Sequence, residues 1–527
     1  MNSNKFKKTI TYIKQNPWTC IFTFILLIQF LLIAVCNIKL IDNNIDCDNA
    51  KLFLHTIKMW EHGTLLIPDW SYTTTLELDC SSLLALPLYG LTKNIYLSYG
   101  LANIILLATF ISLIFWLFKG KDTIYPILAA NLVCIPYSMG MLDYFNMMFF
   151  AGSQYIIKVA LPLLLISIIL WMERKRTQKK RIYEYIPIFL LELLIFMCSL
   201  SSGVYILFVG LLPLFIAYIL YKVYQCENIP FLFYIISGLS IILSIIGIIL
   251  NNIHMGGARG TGMMLISIYQ ITANINSCLP GIYELFGGIA PAMDIPVMSP
   301  EGINIILKAL LVHVFLICGM IAITRIFKKK FDLRTLLLVS VFIWNMFVLL
   351  STNTRAGSAT YEYRYHLIGM LPLIFVAVQI LVDTWLSLKP FHKNFVAAIT
   401  VCFVVSINVL SFPTALDPTD EQAELKLLCS YCDEFDWDYV YLYDASNDAD
   451  MCRLFAESDT EYICVTPQGV TWAYDYYEKY VSGTFSPENA IFVLDSSYNL
   501  GDSFELFGYK FVKFDTVANR TLYYFSK

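Results

Sequence analysis

Charged side chains are scarce: only 14% of the 527 residues are Asp, Glu, Lys or Arg, while 58% are hydrophobic. A soluble domain carries roughly 25% charged residues. That scarcity excludes an ordinary soluble enzyme, because one core stops growing at about 250–300 residues and the surplus apolar surface needs lipid to cover it. Hydrolytic and nucleotide motifs are missing too. There is no H-E-x-x-H and no G-x-S-x-G, and the run Gly256-Gly257-Ala258-Arg259-Gly260-Thr261-Gly262 lacks the Lys-Ser/Thr ending of a phosphate-binding loop. These absences argue against a nucleotide-driven engine. Basic residues form short clusters between apolar runs and no continuous stripe, which argues against a nucleic-acid partner. Cys429-x-x-Cys432 resembles half of a zinc knuckle, but no second close pair or His partner follows it.

What is present is a series of apolar runs. About eleven are long enough to cross a bilayer as helices: Trp18–Ile38, Ile95–Leu117, Ile124–Leu142, Tyr155–Met172, Tyr185–Leu200, Gly203–Tyr221, Pro230–Leu250, Ile303–Thr324, Thr335–Ser351, Leu367–Val382 and Phe395–Ser411. The first follows a basic segment without a small-residue cleavage site and reads as a retained helix. Lys and Arg collect in alternate loops, at Lys5–Lys14, Lys119 and Lys121, Arg174–Arg181, Lys222, Arg325–Arg334, and Lys389 and Lys393. By the positive-inside bias these loops and the N-terminus face the cytoplasm of a plasma membrane. The other loops, including a large first one spanning 40–93, then face outward.

Charge divides the chain in the same way. Residues 414–527 hold 21 acidic and 7 basic residues, leaving 19 acidic and 29 basic for residues 1–413. The expected organisation is therefore a multi-span domain over 1–413 and an acidic, extracytoplasmic domain over 414–527. The tail reads as helix (Glu421–Glu434), strand (Tyr439–Tyr443), helix (Asp448–Phe455), strand (Tyr462–Val465), helix (Ala473–Val481) and strands Ala490–Leu494, Tyr509–Phe514 and Thr521–Phe525. A small α/β domain follows from that order. Its Cys429, Cys432, Cys452 and Cys464 can pair as two disulfides or stay free, as can Cys47 and Cys80 in the first loop.

The first outer loop begins Ile41-Asp42-Asn43-Asn44-Ile45-Asp46-Cys47-Asp48-Asn49-Ala50. Ala50–His62 reads as an amphipathic surface helix carrying Phe53, Ile57 and Trp60, stopped by Gly63. Asp48 then stands just before it, either as a helix cap or as a carboxylate that takes a proton from a hydroxyl. This stretch resembles the C-type (GT-C) membrane glycosyltransferases, in particular the protein O-mannosyltransferase and lipid A aminoarabinose transferase group. In those enzymes an acidic pair after the first span is followed by a surface helix, a Gly and then a Pro. Asp48, Gly63 and Pro68 match that pattern, whereas Asn49 stands at the second acid. Glu77-Leu78-Asp79-Cys80-Ser81 replaces their later His/Lys-Pro-Pro-Leu segment.

The resemblance implies a GT-C-like polytopic helical fold and transfer of a sugar from a polyprenyl-phosphate donor to an extracytoplasmic hydroxyl, on a wall polymer or a lipid-linked glycan. Such chemistry needs a base on the acceptor and positive charge on the leaving phosphate. Asp48 is the expected catalytic base and Asp143 a second active-site acid. Lys158, Arg259, Arg355, Arg364 and His366 are the expected phosphate-binding residues. Asp46, Glu77 and Asp79 are candidates for acceptor or metal binding, although paired loop acids are usually solvated. No cofactor is required, and a divalent cation is optional. An oligosaccharide polymerase or ligase needs no acid after the first span. A transporter or lipid flippase predicts internal repeats and charged residues near mid-membrane, whereas the strongest polar clusters crowd one face and no repeat is found.

Overall fold

The computed structural model describes residues 16–68, 70–72, 75–140, 142–176, 182–255, 264–265, 268–292, 294–353, 363–473, 486–498 and 500–526. Contacts divide the chain into two compact units. One comprises Met1–Cys36, Thr74–Ser81 and Asn103–Asp417; the other comprises Asn37–Thr73, Ser82–Ala102 and Pro418–Lys527.

Among the described residues, nine helices are long and apolar enough to cross a membrane: Pro17–Lys39, Ile95–Leu117, Ile156–Arg174, Leu207–Tyr224, Phe231–Met255, Pro300–Phe327, Leu333–Ser351, Tyr363–Leu386 and Pro390–Ala415. The two remaining expected spans form shorter helices, Ile124–Val133 and Ile186–Ser202. Pro136 shortens the former, because the residue preceding a proline is pushed out of the helical region. Ile156–Arg174 and Tyr363–Leu386 are the most enclosed of the nine, with 83% of the residues in the apolar stretch of each buried, so their polar ends lie where the bundle can shield them from lipid.

Close helix packing carries polar groups in with it. Gly247 lets Phe231–Met255 approach Ile186–Ser202 so tightly that a Cβ there would stand 2.8 Å from the Leu200 nitrogen. Small residues at such crossings allow the backbones to touch. Asn251 then donates to the Leu200 and Ser201 carbonyls at 2.7 and 2.9 Å. It satisfies two of the acceptors a helix C-terminus leaves open. Glu192 makes a quieter link in the same helix pair, accepting from Ser240 at 2.9 Å.

The second unit holds a seven-stranded mixed sheet in the order Thr471–Trp472, Glu461–Val465, Tyr439–Tyr443, Ala490–Asp495, Arg520–Ser526, Tyr509–Val517, Ser503–Leu506. Tyr439–Tyr443 is parallel to both its neighbours and sets Tyr441 opposite Ile463 and Phe492. Tyr441, Phe492, Phe511 and Tyr523 build an aromatic core on one face. Helices Ala423–Asp433 and Ser446–Phe455 pack together, the latter also against the sheet. Two strands, Thr471–Trp472 and Ser503–Leu506, were not expected from the sequence, and most of the expected helix Ala473–Val481 lies outside the described residues. Cys429, Cys432, Cys452 and Cys464 are buried thiols that form no disulfide with one another.

The first-loop helix runs Cys47–His62, three residues longer at its start than the hydrophobic pattern implied. It is packed, not laid on a surface: Ser446–Phe455 and Ser82–Thr92 both cover it. Further bonds join the same unit, with the Glu421 N–H donating to the Asn43 carbonyl at 3.1 Å and the Lys426 ammonium to the Asp42 carbonyl at 3.0 Å. Gly63 ends the helix as expected. Its φ of +66° is the left-handed conformation that glycine reaches without a Cβ penalty.

Candidate active site

In the membrane unit the polar groups gather around one turn. Tyr363–His366 is a 3-10 turn that leads into the enclosed helix Leu367–Leu386. The Asn345 amide, buried on the facing helix, donates to the Tyr365 carbonyl at 3.2 Å and holds the turn in place. His366 is fully enclosed at the base of that turn.

On one side of the turn, the Tyr363 hydroxyl donates to Asp143 Oδ1 at 2.6 Å. Asp143 Oδ2 takes the Gly140 N–H at 2.6 Å. Burial raises the Asp143 carboxyl above the usual carboxylate range, while the Tyr363 hydroxyl, the Met139 N–H and the Lys308 charge oppose that rise. Lys308 is itself buried and donates to the Tyr137 carbonyl at 2.6 Å. A carboxyl raised by burial in this way holds its proton more readily than a solvated one.

On the other side, the Arg364 guanidinium lies 5.5 Å from the centre of the Tyr365 ring. That ring meets Tyr155 at 6.5 Å and Tyr205 at 6.0 Å. Burial pushes the Tyr205 phenol up, with Tyr365, Arg364, Tyr155 and Asp79 all close enough to act on it. The Lys158 ammonium stands 5.1 Å from the Tyr155 ring centre and 3.2 Å from Asp79 Oδ2. Cation–π contact and ion pairing therefore both fix the lysine.

Asp79 contrasts with the expectation of a solvated loop acid. It is only 2% exposed, and it accepts from Ser201 at 2.8 Å and Ser202 at 2.5 Å as well as pairing with Lys158. Ser201 also takes the Leu78 N–H at 3.0 Å, so the two serines at the end of Ile186–Ser202 hold both the acid and its backbone. Lys158, expected as a phosphate-binding residue, is bound to Asp79, and Asp143 is bound to Tyr363. Glu77 is partly buried, with a left-handed φ of +59°. Arg259 and Arg355, and the Glu362 neighbour of Arg364, lie outside the described residues. His313, inside the span Pro300–Phe327, is exposed and bonds Tyr283 and the Ala309 carbonyl.

In the second unit, Asp46, not Asp48, caps the first-loop helix. Its two oxygens accept from the Asn49 backbone and side chain at 2.8 and 2.7 Å. Burial pushes the Asp46 carboxyl up to about 6; the Asn49 N–H opposes the shift and the Asp48 charge adds to it. Asp48 sits half-buried in the first turn, relieved of the capping role. Further along the same helix His55 is buried, bonded to the Tyr72 hydroxyl at 3.1 Å and packed on Trp70. Burial lowers its pKa to about 3, which leaves a neutral structural imidazole.

Ser201, Ser202, Tyr205, Lys308, Asn345 and Tyr363 were not singled out from the sequence. Lys308 alone carried a usable signal, a cation just inside an apolar span. Among the described residues no group of three or more His, Cys, Asp or Glu side chains converges as a metal site would require.

No protein-family model matches the sequence, and no curated protein does. Solved structures do match in fold. ArnT from Cupriavidus metallidurans in the apo state superposes with a TM-score of 0.52 at 10% identity, over 97% of this chain and 98% of that one. ArnT from the same organism bound to undecaprenyl phosphate gives a TM-score of 0.50, again at 10% identity, over 96% and 98% of the two chains. A polytopic helical fold with a C-terminal sheet domain, shared with ArnT, is thus the architecture of this chain.

Proposed function

We propose that the chain is a membrane glycosyltransferase of GT-C type that moves a sugar from a polyprenyl-phosphate carrier to an extracytoplasmic hydroxyl, on a wall polymer or lipid-linked glycan. One observation carries the reading: Arg364, the Asp79–Lys158 pair and Asp143 crowd the turn where two enclosed spans begin. Buried ions at a span end are costly and mark sites of function. ArnT, which shares the fold, has been captured with undecaprenyl phosphate, a carrier of the class proposed here.

In the reaction, the acceptor oxygen bonds to the anomeric carbon as the bond from that carbon to the phosphate oxygen breaks. The acceptor proton passes to the Asp48 carboxylate, a role assigned by the loop pattern. The electron pair leaves with the polyprenyl phosphate, whose added charge Arg364 takes up and Lys158 supports. Asp143, oriented by Tyr363, is the second acid, and His366 supports the turn. A divalent cation is optional in this scheme, because the two side-chain cations already supply positive charge. The plasma membrane, with the N-terminus inside and the sheet domain outside, is the setting that the loop charges support.

The test is a membrane assay with radiolabelled polyprenyl-phosphate sugars. Asp48→Asn should lower turnover by about 10²–10⁴-fold, the usual contribution of a general base, with the protein still inserted. Arg364→Ala should weaken use of the lipid-linked donor. Wild-type turnover in the Asp48 variant, or donor dependence unaltered by the Arg364 change, overturns the corresponding role.

A further inference from the structure

A second place in the molecule has the form of a ligand site, within the sheet domain alone. The chain leaves strand Tyr439–Tyr443 and crosses through helix Ser446–Phe455 to the parallel strand Glu461–Val465 on one side. It then returns to the parallel strand Ala490–Asp495 on the other side. That reversal is a topological switch point, and open sheets bind ligands in the crevice outside the strand ends at such a point. A cavity of about 300 Å³ opens there, at the lower limit of small-molecule sites.

Its walls define a chemistry. Tyr443 and Tyr498 meet at 5.5 Å with their planes 85° apart and give the cavity an apolar side. Asp444, Asp448, Asp495 and Arg520 give it a polar one. Arg520 bridges Asp448 at 2.5 Å and Asp495 at 3.0 Å, which locks two of the acids and neutralises one charge. The remaining balance is negative and rejects phosphates and carboxylates. Ionised carboxylates accept hydrogen bonds and donate none, so they suit a ligand rich in hydroxyl donors. A hydroxyl-rich ligand with an apolar face is a sugar ring.

We infer that this crevice, lined by Tyr443, Asp444, Asp448, Asp495, Tyr498 and Arg520, binds a neutral saccharide unit, giving the sheet domain a carbohydrate site of its own. Binding there does not depend on the transfer reaction proposed above. The whole chain, purified in detergent, is titrated with neutral mono- and disaccharides and with their uronic-acid counterparts, read by saturation-transfer NMR. At least one neutral saccharide should bind and its uronate should not. Tyr498→Ala and Asp444→Asn, both at exposed positions, should each weaken that binding roughly tenfold without shifting the thermal unfolding midpoint. The inference is overturned if no neutral saccharide binds, if the uronates bind equally, or if both variants bind as the wild type does.

Discussion

The Asp79–Lys158 pair invites a double-mutant cycle. At 3.2 Å and an effective dielectric of about 20, Coulomb attraction amounts to about 5 kcal/mol. Desolvating two buried ions offsets most of that, so the pair as a whole adds little to stability while loss of either partner is expensive. Asp79→Asn or Lys158→Met alone should therefore destabilise the detergent-solubilised protein by about 3–5 kcal/mol, each leaving one charge buried without its counterion. The double variant Asp79→Asn/Lys158→Met should recover at least half of that loss, because the serine hydroxyls retain a polar partner and no net charge stays buried. Unfolding in a graded denaturing detergent, followed by tryptophan fluorescence, measures all four corners of the cycle. Polyprenyl-phosphate binding is measured on the same samples and should stay weak in every variant lacking Lys158, the stable double variant included. Additive losses, or a Lys158→Met protein as stable as the wild type, would refute the claim that the two charges are coupled. Full donor binding by the double variant would confine the lysine to a structural part.

The remaining expectations concern other layers of the same framework. Asp46 carries a folded-state pKa of about 6 against an unfolded value near 3.9. Its folded form thus binds the proton more tightly, and stability should fall as pH rises from about 4 to about 6, by at most about 2–3 kcal/mol. Asp46→Asn keeps a capping side chain and should flatten that slope; a denaturation series across pH checks it, and an unchanged slope refutes the assignment. Gly247→Ala inserts a methyl 2.8 Å from backbone and should cost about 1–3 kcal/mol by overpacking. Through Ser201 and Ser202 it should also loosen donor binding, whereas a variant with wild-type melting and binding would show that the helices separate freely.

Much of the architecture was legible because burial in lipid demands long apolar runs, and these stand out at any register. Helix ends were less so. Pro136 cut one expected span to Ile124–Val133, and the first-loop helix began at Cys47 because its cap is Asp46. Apolar periodicity starts only at Ala50 and does not choose among three nearby acids. Gly63, by contrast, was readable, since a left-handed stop has few substitutes. The site divides in the same way. Arg364 and Asp143 could be picked out as lone polar residues beside apolar spans, but Asp79 looked like any loop acid. Its partners Lys158, Ser201 and Ser202 are 79 to 123 positions away, and no local pattern reports a contact of that range. The tyrosines of the cluster were lost among interfacial aromatics, which belts at membrane surfaces already explain.

The interleaving of the two compact units has a practical meaning for anyone who wishes to take the protein apart. The backbone passes from one unit to the other five times, after Cys36, Thr73, Ser81, Ala102 and Asp417. Cutting any one of these junctions releases neither half whole, and a fragment starting at Pro418 forfeits the Cys47–His62 helix that packs on Ser446–Phe455. Grafting, swapping or separate expression must therefore treat the polypeptide as a woven object, in which inheritance of one part brings the other with it.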